Sequence, residues 1–187
     1  MKAPEIETAR LRLRRFTLDD LDALYLIFRD PDVMRFLGTG EAVTREASEP
    51  HLINYIERYW EEHRFGRWAL VCKDRNELIG QCGLRIRDDK PELVYLLAKR
   101  YWGMGLATEA ARACLRYGFE ELKLEQIIAV TRPGNVGSRR VLERIGMKHE
   151  KDVWVDDMDC VYYSISSESY QPRDEHYVLG FNSAGEP

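Results

Sequence analysis

Between Arg10 and Phe16 apolar and polar residues alternate, Leu11 and Leu13 on one side and Arg12 and Arg14 on the other, which is the two-residue period of a half-buried strand. Thr17 with Asp20 three residues later forms a capping-box pattern, and Leu21, Leu24, Tyr25 and Phe28 then recur at helical spacing until Asp30-Pro31 breaks it. A second helix is expected from Pro50, with Leu52, Ile56, Tyr59 and Trp60 as its apolar stripe. Trp68–Lys73, Leu78–Arg87 and Glu92–Leu97 read as three strands joined by short polar turns, an antiparallel meander. Glu109, Arg112, Arg116, Glu120 and Lys123 trace a polar stripe opposite Ala107, Ala110, Ala111, Cys114 and Phe119, so a long amphipathic helix follows. Gln126–Thr131 is a fifth strand, Ser138–Ile145 a helix stopped by Gly146, and Lys148–Val155 with Met158–Ser166 a hairpin around Asp156-Asp157. Helices and hairpins therefore share one sheet, an α+β arrangement in a single domain over residues 1–166. Residues 167–187, rich in acids and carrying Pro172, Gly180 and Gly185, read as a loosely held C-terminal tail. Within it, Tyr177-Val178-Leu179 could dock on the body or on a second copy, giving a homodimer.

Charge and composition narrow the function. The 187 residues hold 28 basic and 32 acidic side chains for a net charge of −4, which argues against binding nucleic acid through its phosphates. The longest apolar run is the six residues Leu93–Ala98, too short for a membrane span or a signal core, so a cytoplasmic protein is expected. Cys72, Cys82, Cys114 and Cys160 lack CxxC spacing and lie in apolar segments, and His51, His63, His149 and His176 form no ligand cluster. Core thiols and no metal site are the expectation.

Trp102-Gly103-Met104-Gly105-Leu106-Ala107 lies between a strand end and the start of the long helix. Two glycines allow a tight turn with converging N–H groups, and the helix N-terminus adds about half a positive charge, a combination suited to phosphate or pyrophosphate. Read alone, the same pair of glycines is equally a plain structural turn.

Several separated motifs, in order, give the chain its resemblance. Thr8-Ala9-Arg10-Leu11-Arg12-Leu13-Arg14, Leu78-Ile79-Gly80 with Gly83-Leu84, Tyr101–Ala110, Asn135-Val136-Gly137-Ser138 and Ile145-Gly146-Met147 together resemble the GNAT superfamily of N-acetyltransferases, and within it the RimJ/RimL-like branch that acetylates ribosomal protein N-termini. The resemblance implies a mixed, mostly antiparallel seven-stranded sheet flanked by four main helices. In it the parallel fourth and fifth strands, Glu92–Leu97 and Gln126–Thr131, splay to admit acetyl-CoA. The acyl-CoA signature Q/R-x-x-G-x-G/A fits as Arg100, Gly103 and Gly105, or as Trp102, Gly105 and Ala107. The second register is preferred because it leaves the Leu97 backbone to pair with pantetheine. The implied cofactor contacts are Leu97, Trp102, Gly103, Met104, Gly105, Leu106, Ala107, Asn135, Ser138 and Arg139. Arg139, Arg140 and Arg144 stand as candidates for the ribose phosphate or as an exposed basic face, and Asn135 and Ser138 as contacts or helix caps.

The reaction implied is direct attack of a primary amine, from a protein N-terminus or a small molecule, on acetyl-CoA, with no covalent enzyme intermediate. Backbone N–H groups near Tyr95–Leu97 would steady the carbonyl oxygen. A tyrosine that protonates the thiolate in many relatives is here Leu142, which makes Ser138 the candidate acid. Glu92 is the candidate base, or else a solvated residue after a turn; Glu150 and water are the other choices. The connection Arg29–Ser48 would build the acceptor wall. Two further readings are a non-catalytic acyl-CoA sensor and an NADP-dependent oxidoreductase with Gly103-x-Gly105-x-x-Thr108 as a truncated fingerprint and Arg132 near the 2′-phosphate.

Overall fold

In this computed structural model, residues 4–57 and 59–181 are described, without the side chains of 54–57, 61 and 181. Among the described residues nine strands form one sheet: β1 Pro4–Thr8, β2 Leu11–Arg14, β3 Arg67–Cys72, β4 Glu77–Arg87, β5 Lys90–Leu97, β6 Gln126–Thr131, β7 Lys148–Val155, β8 Met158–Ser166 and β9 Tyr177–Phe181. Their order is β7-β8-β6-β5-β4-β3-β2-β1-β9, antiparallel throughout except between β5 and β6. The helices are α1 Leu21–Phe28, α2 Pro31–Met34, α3 Arg45–Glu57, α4 Tyr59–His63, α5 Leu106–Arg116, continued by a π turn to Glu121, and α6 Val136–Arg144.

Two strands beyond the expected seven lie at one edge. The expected first strand is confined to Leu11–Arg14, and β1 pairs with it as a hairpin partner. The Tyr177–Leu179 patch docks on the body as β9, in register with β1 from Pro4↔Phe181 to Thr8↔Tyr177. The segment that brings it there, residues 167–176, is irregular. The second helix also starts earlier than Pro50. Thr44 is its cap, with Oγ1 accepting the Ala47 amide at 3.2 Å, while Pro50 lies inside the helix. Leu52 and Trp60 are buried as expected, whereas the side chains of Tyr55 and Ile56 lie outside the described residues.

Because neighbouring residues of a strand face opposite sides, the sheet supports two cores. Leu78 and Leu96 pack with Leu24, Ile27 and Phe28 of α1 and with Leu52 of α3. Ile79, Cys82, Leu84 and Leu97 pack on the other side with Ala110, Ala111, Cys114 and Leu115 of α5. All four cysteines are buried free thiols.

The expected capping box is present at the entry to α1. Asp20 Oδ2 accepts the Thr17 amide at 2.8 Å, and both carboxylate oxygens accept from Arg14 at 2.7 Å. Burial pushes this carboxyl up, but the Arg14 and Thr17 hydrogen bonds outweigh it and hold it below the ordinary carboxylate range. A carboxyl lowered in the folded state stabilises the fold above its unfolded pKa of about 4 and loses that contribution as pH falls through the folded value. Chemical denaturation should therefore show wild-type stability falling below about pH 4. Asp20→Asn should cost about 2 kcal/mol at pH 7 and flatten that acid slope; an unchanged slope would place the acid sensitivity elsewhere.

Candidate active site

Among the described residues β5 and β6 pair at one position, Glu92↔Ile128, and beyond it the parallel strands part. A cavity of about 510 Å³ occupies this gap and extends beneath the α1–α3 connection. Glu92, Tyr95, Asn135, Ser138 and Leu142 all line it, facing Phe36, Gly38, Glu41 and Val43. The connection between α1 and α3 thus forms one wall of the cavity, and Arg132 anchors it. Its Nη2 donates to the Gly38 carbonyl at 2.6 Å and its Nη1 to Arg35 O at 3.4 Å, so this guanidinium is committed to the wall rather than to a nucleotide.

The glycine loop lies at the C-terminal end of β5. Gly103 and Gly105 have φ of +76° and +78°. A Cβ at Gly103 would meet nothing within 4 Å, and one at Gly105 only the Arg10 side chain at 3.5 Å. Left-handed backbone, not lack of space, is therefore what requires glycine here. Gly105 caps α5 without a side chain of its own, leaving the first amides of the helix without an intrahelical partner. Arg10 steadies the loop by donating to Met104 O at 2.8 Å, while its Nε and backbone amide both reach Glu109, at 2.7 and 2.8 Å. The Arg100 guanidinium pairs with Glu77 at the start of β4. Trp102 is half exposed, and its indole Nε1 donates to Leu97 O at 2.8 Å. Trp102 thus ties the loop to the strand and leaves the Leu97 carbonyl one lone pair for another donor.

This cleft can be compared with known proteins. A model of the acetyltransferase (GNAT) domain matches residues 10–148. The chain belongs to the GNAT acetyltransferase family. Among its relatives, the uncharacterized protein YkkB of Bacillus subtilis is 37% identical over 154 residues, 80% of this chain and 88% of the relative. The uncharacterized N-acetyltransferase p20 of Bacillus licheniformis is 31% identical over 146 residues, 76% of this chain and 82% of the relative. A GNAT-family acetyltransferase structure from Bacillus anthracis superposes with a TM-score of 0.78 at 29% identity, covering 88% of this chain and 99% of that one. Family membership sets aside the oxidoreductase reading: the loop that suggested it follows the meander of an acetyltransferase sheet.

Within the acetyltransferase, several candidate residues have partners that sequence alone does not supply. Asn135 caps α6, its Oδ1 accepting the Ser138 amide at 3.2 Å. Ser138 Oγ lies 2.9 Å from the Tyr95 hydroxyl, which also donates to Ser138 O at 3.0 Å. Burial pushes the Tyr95 phenol well above its ordinary value, so it stays protonated. Tyr95 enters the sequence reading only through its backbone; that its ring crosses the gap to α6 depends on the splay. Glu92 is 1% exposed, and its Oε2 accepts from Arg85 Nε at 2.5 Å and Arg87 Nε at 2.9 Å. It is a buried, doubly paired carboxylate in the cavity wall, not a solvated turn residue. Glu150 takes the Ser164 hydroxyl at 3.0 Å on β7 and does not line this cavity. Arg139 donates to the Tyr163 hydroxyl at 3.2 Å. Arg144 lines a different cavity, on the outer face of α5.

Proposed function

We propose that this acetyltransferase moves the acetyl group of acetyl-CoA onto a primary amine by direct attack, with both substrates held in the cleft. The observation that supports it best is the coincidence of three features at one strand end: the parted β5 and β6, the left-handed glycine loop with the free amides of α5, and a cavity running from Ser138 to the Arg132-anchored wall. The loop backbone from Gly103 to Ala107 would hold the pyrophosphate, and Leu97, Trp102, Asn135, Ser138 and Arg139 would border the rest of the cofactor. Bound there, acetyl-CoA supplies an acetyl carbonyl open to attack and a thiolate leaving group.

The C–N bond forms as the C–S bond breaks, and the chain's residues move two protons. One leaves the amine for Glu92, directly or through a water; the other passes from Ser138 to the departing sulfur as Tyr95 turns its one hydroxyl proton from Ser138 O to Oγ, and the proton held by Glu92 returns through solvent to Tyr95. An α-amine, with a pKa of about 7.7 to 8.0, is already partly neutral near pH 7, whereas a lysine amine at about 10.4 is almost wholly charged. An α-amine therefore asks less of its base than a lysine does, and this favours α-amino acceptors.

Calorimetry with acetyl-CoA followed by thiol release across an amine and peptide panel tests the reading. One-to-one binding with amine-dependent thiol release is expected. Binding without release on any acceptor would indicate a sensor, and no binding would end the proposal. Gly105→Val places a β-branched residue at φ +78°, so the KM for acetyl-CoA should rise at least about tenfold with kcat changed much less. An unaltered KM would remove this loop from the cofactor site.

A further inference from the structure

Gln81 occupies an unusual position in the sheet. It lies on β4 between Ala69 of β3 and Leu96 of β5, both buried and apolar, and is itself 6% exposed. Among the described residues its amide has no hydrogen-bond partner, and Oε1 is fully buried without one. Interiors leave few such groups unsatisfied, and an uncharged amide cannot relieve the cost by changing protonation. Gln81 lines the same cavity as Glu92. The two also share a face of the sheet, because Glu92 pairs with Arg85, four residues from Gln81 on β4. The unmet amide therefore borders the space in which the acceptor amine would lie.

We infer that Gln81 selects acceptors that carry an α-amino carbonyl unit, such as the first residue of a polypeptide, an amino-acid amide or an amino acid. A carboxamide presents one acceptor and one donor on adjacent atoms. An amine with a carbonyl on the neighbouring carbon complements both at once: its N–H donates to Oε1 and its C=O accepts from Nε2. A lysine side chain, a polyamine or an alkylamine supplies only the first half. This inference rests on the acetyl-transfer reading and narrows its acceptor.

The test compares alaninamide with but-3-yn-2-amine, a primary amine of similar size and similar basicity that lacks the carbonyl, as acceptors for wild type and Gln81→Leu, so that the neutral fraction of the two amines is matched. A site built around a hydrogen bond rejects an analogue without it far more strongly than an apolar pocket rejects a change of shape. Wild type should prefer alaninamide by at least about 100-fold in kcat/KM, and Gln81→Leu should bring the two within about fivefold. The variant should also melt no lower than wild type, since it removes an unpaired amide from an apolar setting; a residue needed only for folding would lower the melting temperature. Equal use of both amines by wild type, or an unchanged preference in Gln81→Leu, overturns the inference. Calorimetry of alaninamide with the CoA-loaded protein gives a readout independent of turnover: binding should weaken at least tenfold in Gln81→Leu, and absence of binding to wild type counts against Gln81. Failure of acetyl-CoA to bind at all would instead fall on the transfer reading itself.

Discussion

Gly80→Ala should destabilise the protein by about 3 kcal/mol or more, within the range for forced overpacking in a core. A Cβ at this position would lie 2.1 Å from the Leu96 carbonyl oxygen and 2.9 Å from Leu97 Cα. Both contacts are to backbone, so no side chain can swing aside to relieve them. Either β4 and β5 must separate, or β5 must shift where it borders the cavity and receives the Trp102 indole. For a chain of this size each kcal/mol lowers Tm by about 2–4 °C, so a fall of roughly 6–12 °C is expected. Gly103→Ala is the matched control. Its φ is also positive, but its added Cβ meets no atom within 4 Å, which limits the cost to about 1 kcal/mol of left-handed strain. Thermal denaturation of the pair separates crowding from conformation, and equal losses would mean that close strand approach at Gly80 contributes nothing special.

Much of this framework could be read from local sequence, because the signals involved are local. The β7–β8 hairpin was legible to the residue: Lys148–Val155 and Met158–Ser166 flank Asp156-Asp157, and those two aspartates adopt φ of +51° and +60° in the turn. Gly146, at φ +93°, ends α6 where its position suggests. The last two strands on one side of the sheet, β1 and the edge strand β9, were not legible as a pair. Each is five residues long, and they are brought together across almost the whole chain, so only the tertiary fold supplies the partner. Pro50 misled because proline is well suited to a first helical turn, whereas here the cap is Thr44, a weaker signal six residues upstream of a visible one.

The site divides in the same way. Its glycine loop is contiguous and carries its own conformational requirement, so Gly103 and Gly105 stand out in the sequence. The polar groups in the cavity come from separate strands and acquire their partners only when the sheet forms. Arg85 and Arg87 look like surface residues until they converge on Glu92, and Tyr95 looks like one more strand aromatic until it meets Ser138. Gln81 did leave a trace, as a lone amide within Leu78-Ile79-Gly80-Gln81-Cys82-Gly83-Leu84, a strand buried along most of its length. A polar residue in such a run needs a partner, and the sequence offers none nearby.

The Tyr95–Ser138 pair should control turnover. Loss of a positioned proton donor typically costs 10²–10⁴-fold, so Ser138→Ala should lower kcat by roughly 10²-fold with little change in the KM for acetyl-CoA. Tyr95→Phe keeps the ring that spans the gap and removes only the hydroxyl bonded to Ser138. If that hydroxyl supplies or orients the serine proton, its removal should cost roughly 10-fold or more in kcat. The double variant should then be no slower than Ser138→Ala alone, because groups acting along one proton path are strongly non-additive. Multiplying losses would show two independent contributions. The leaving group provides a second check: an acetyl donor with a more acidic thiol needs less help from a general acid, so both single variants should recover towards wild type with it. Deficits that persist with such a donor would mean that the hydroxyl pair holds α6 against β5 and takes no part in protonating the sulfur.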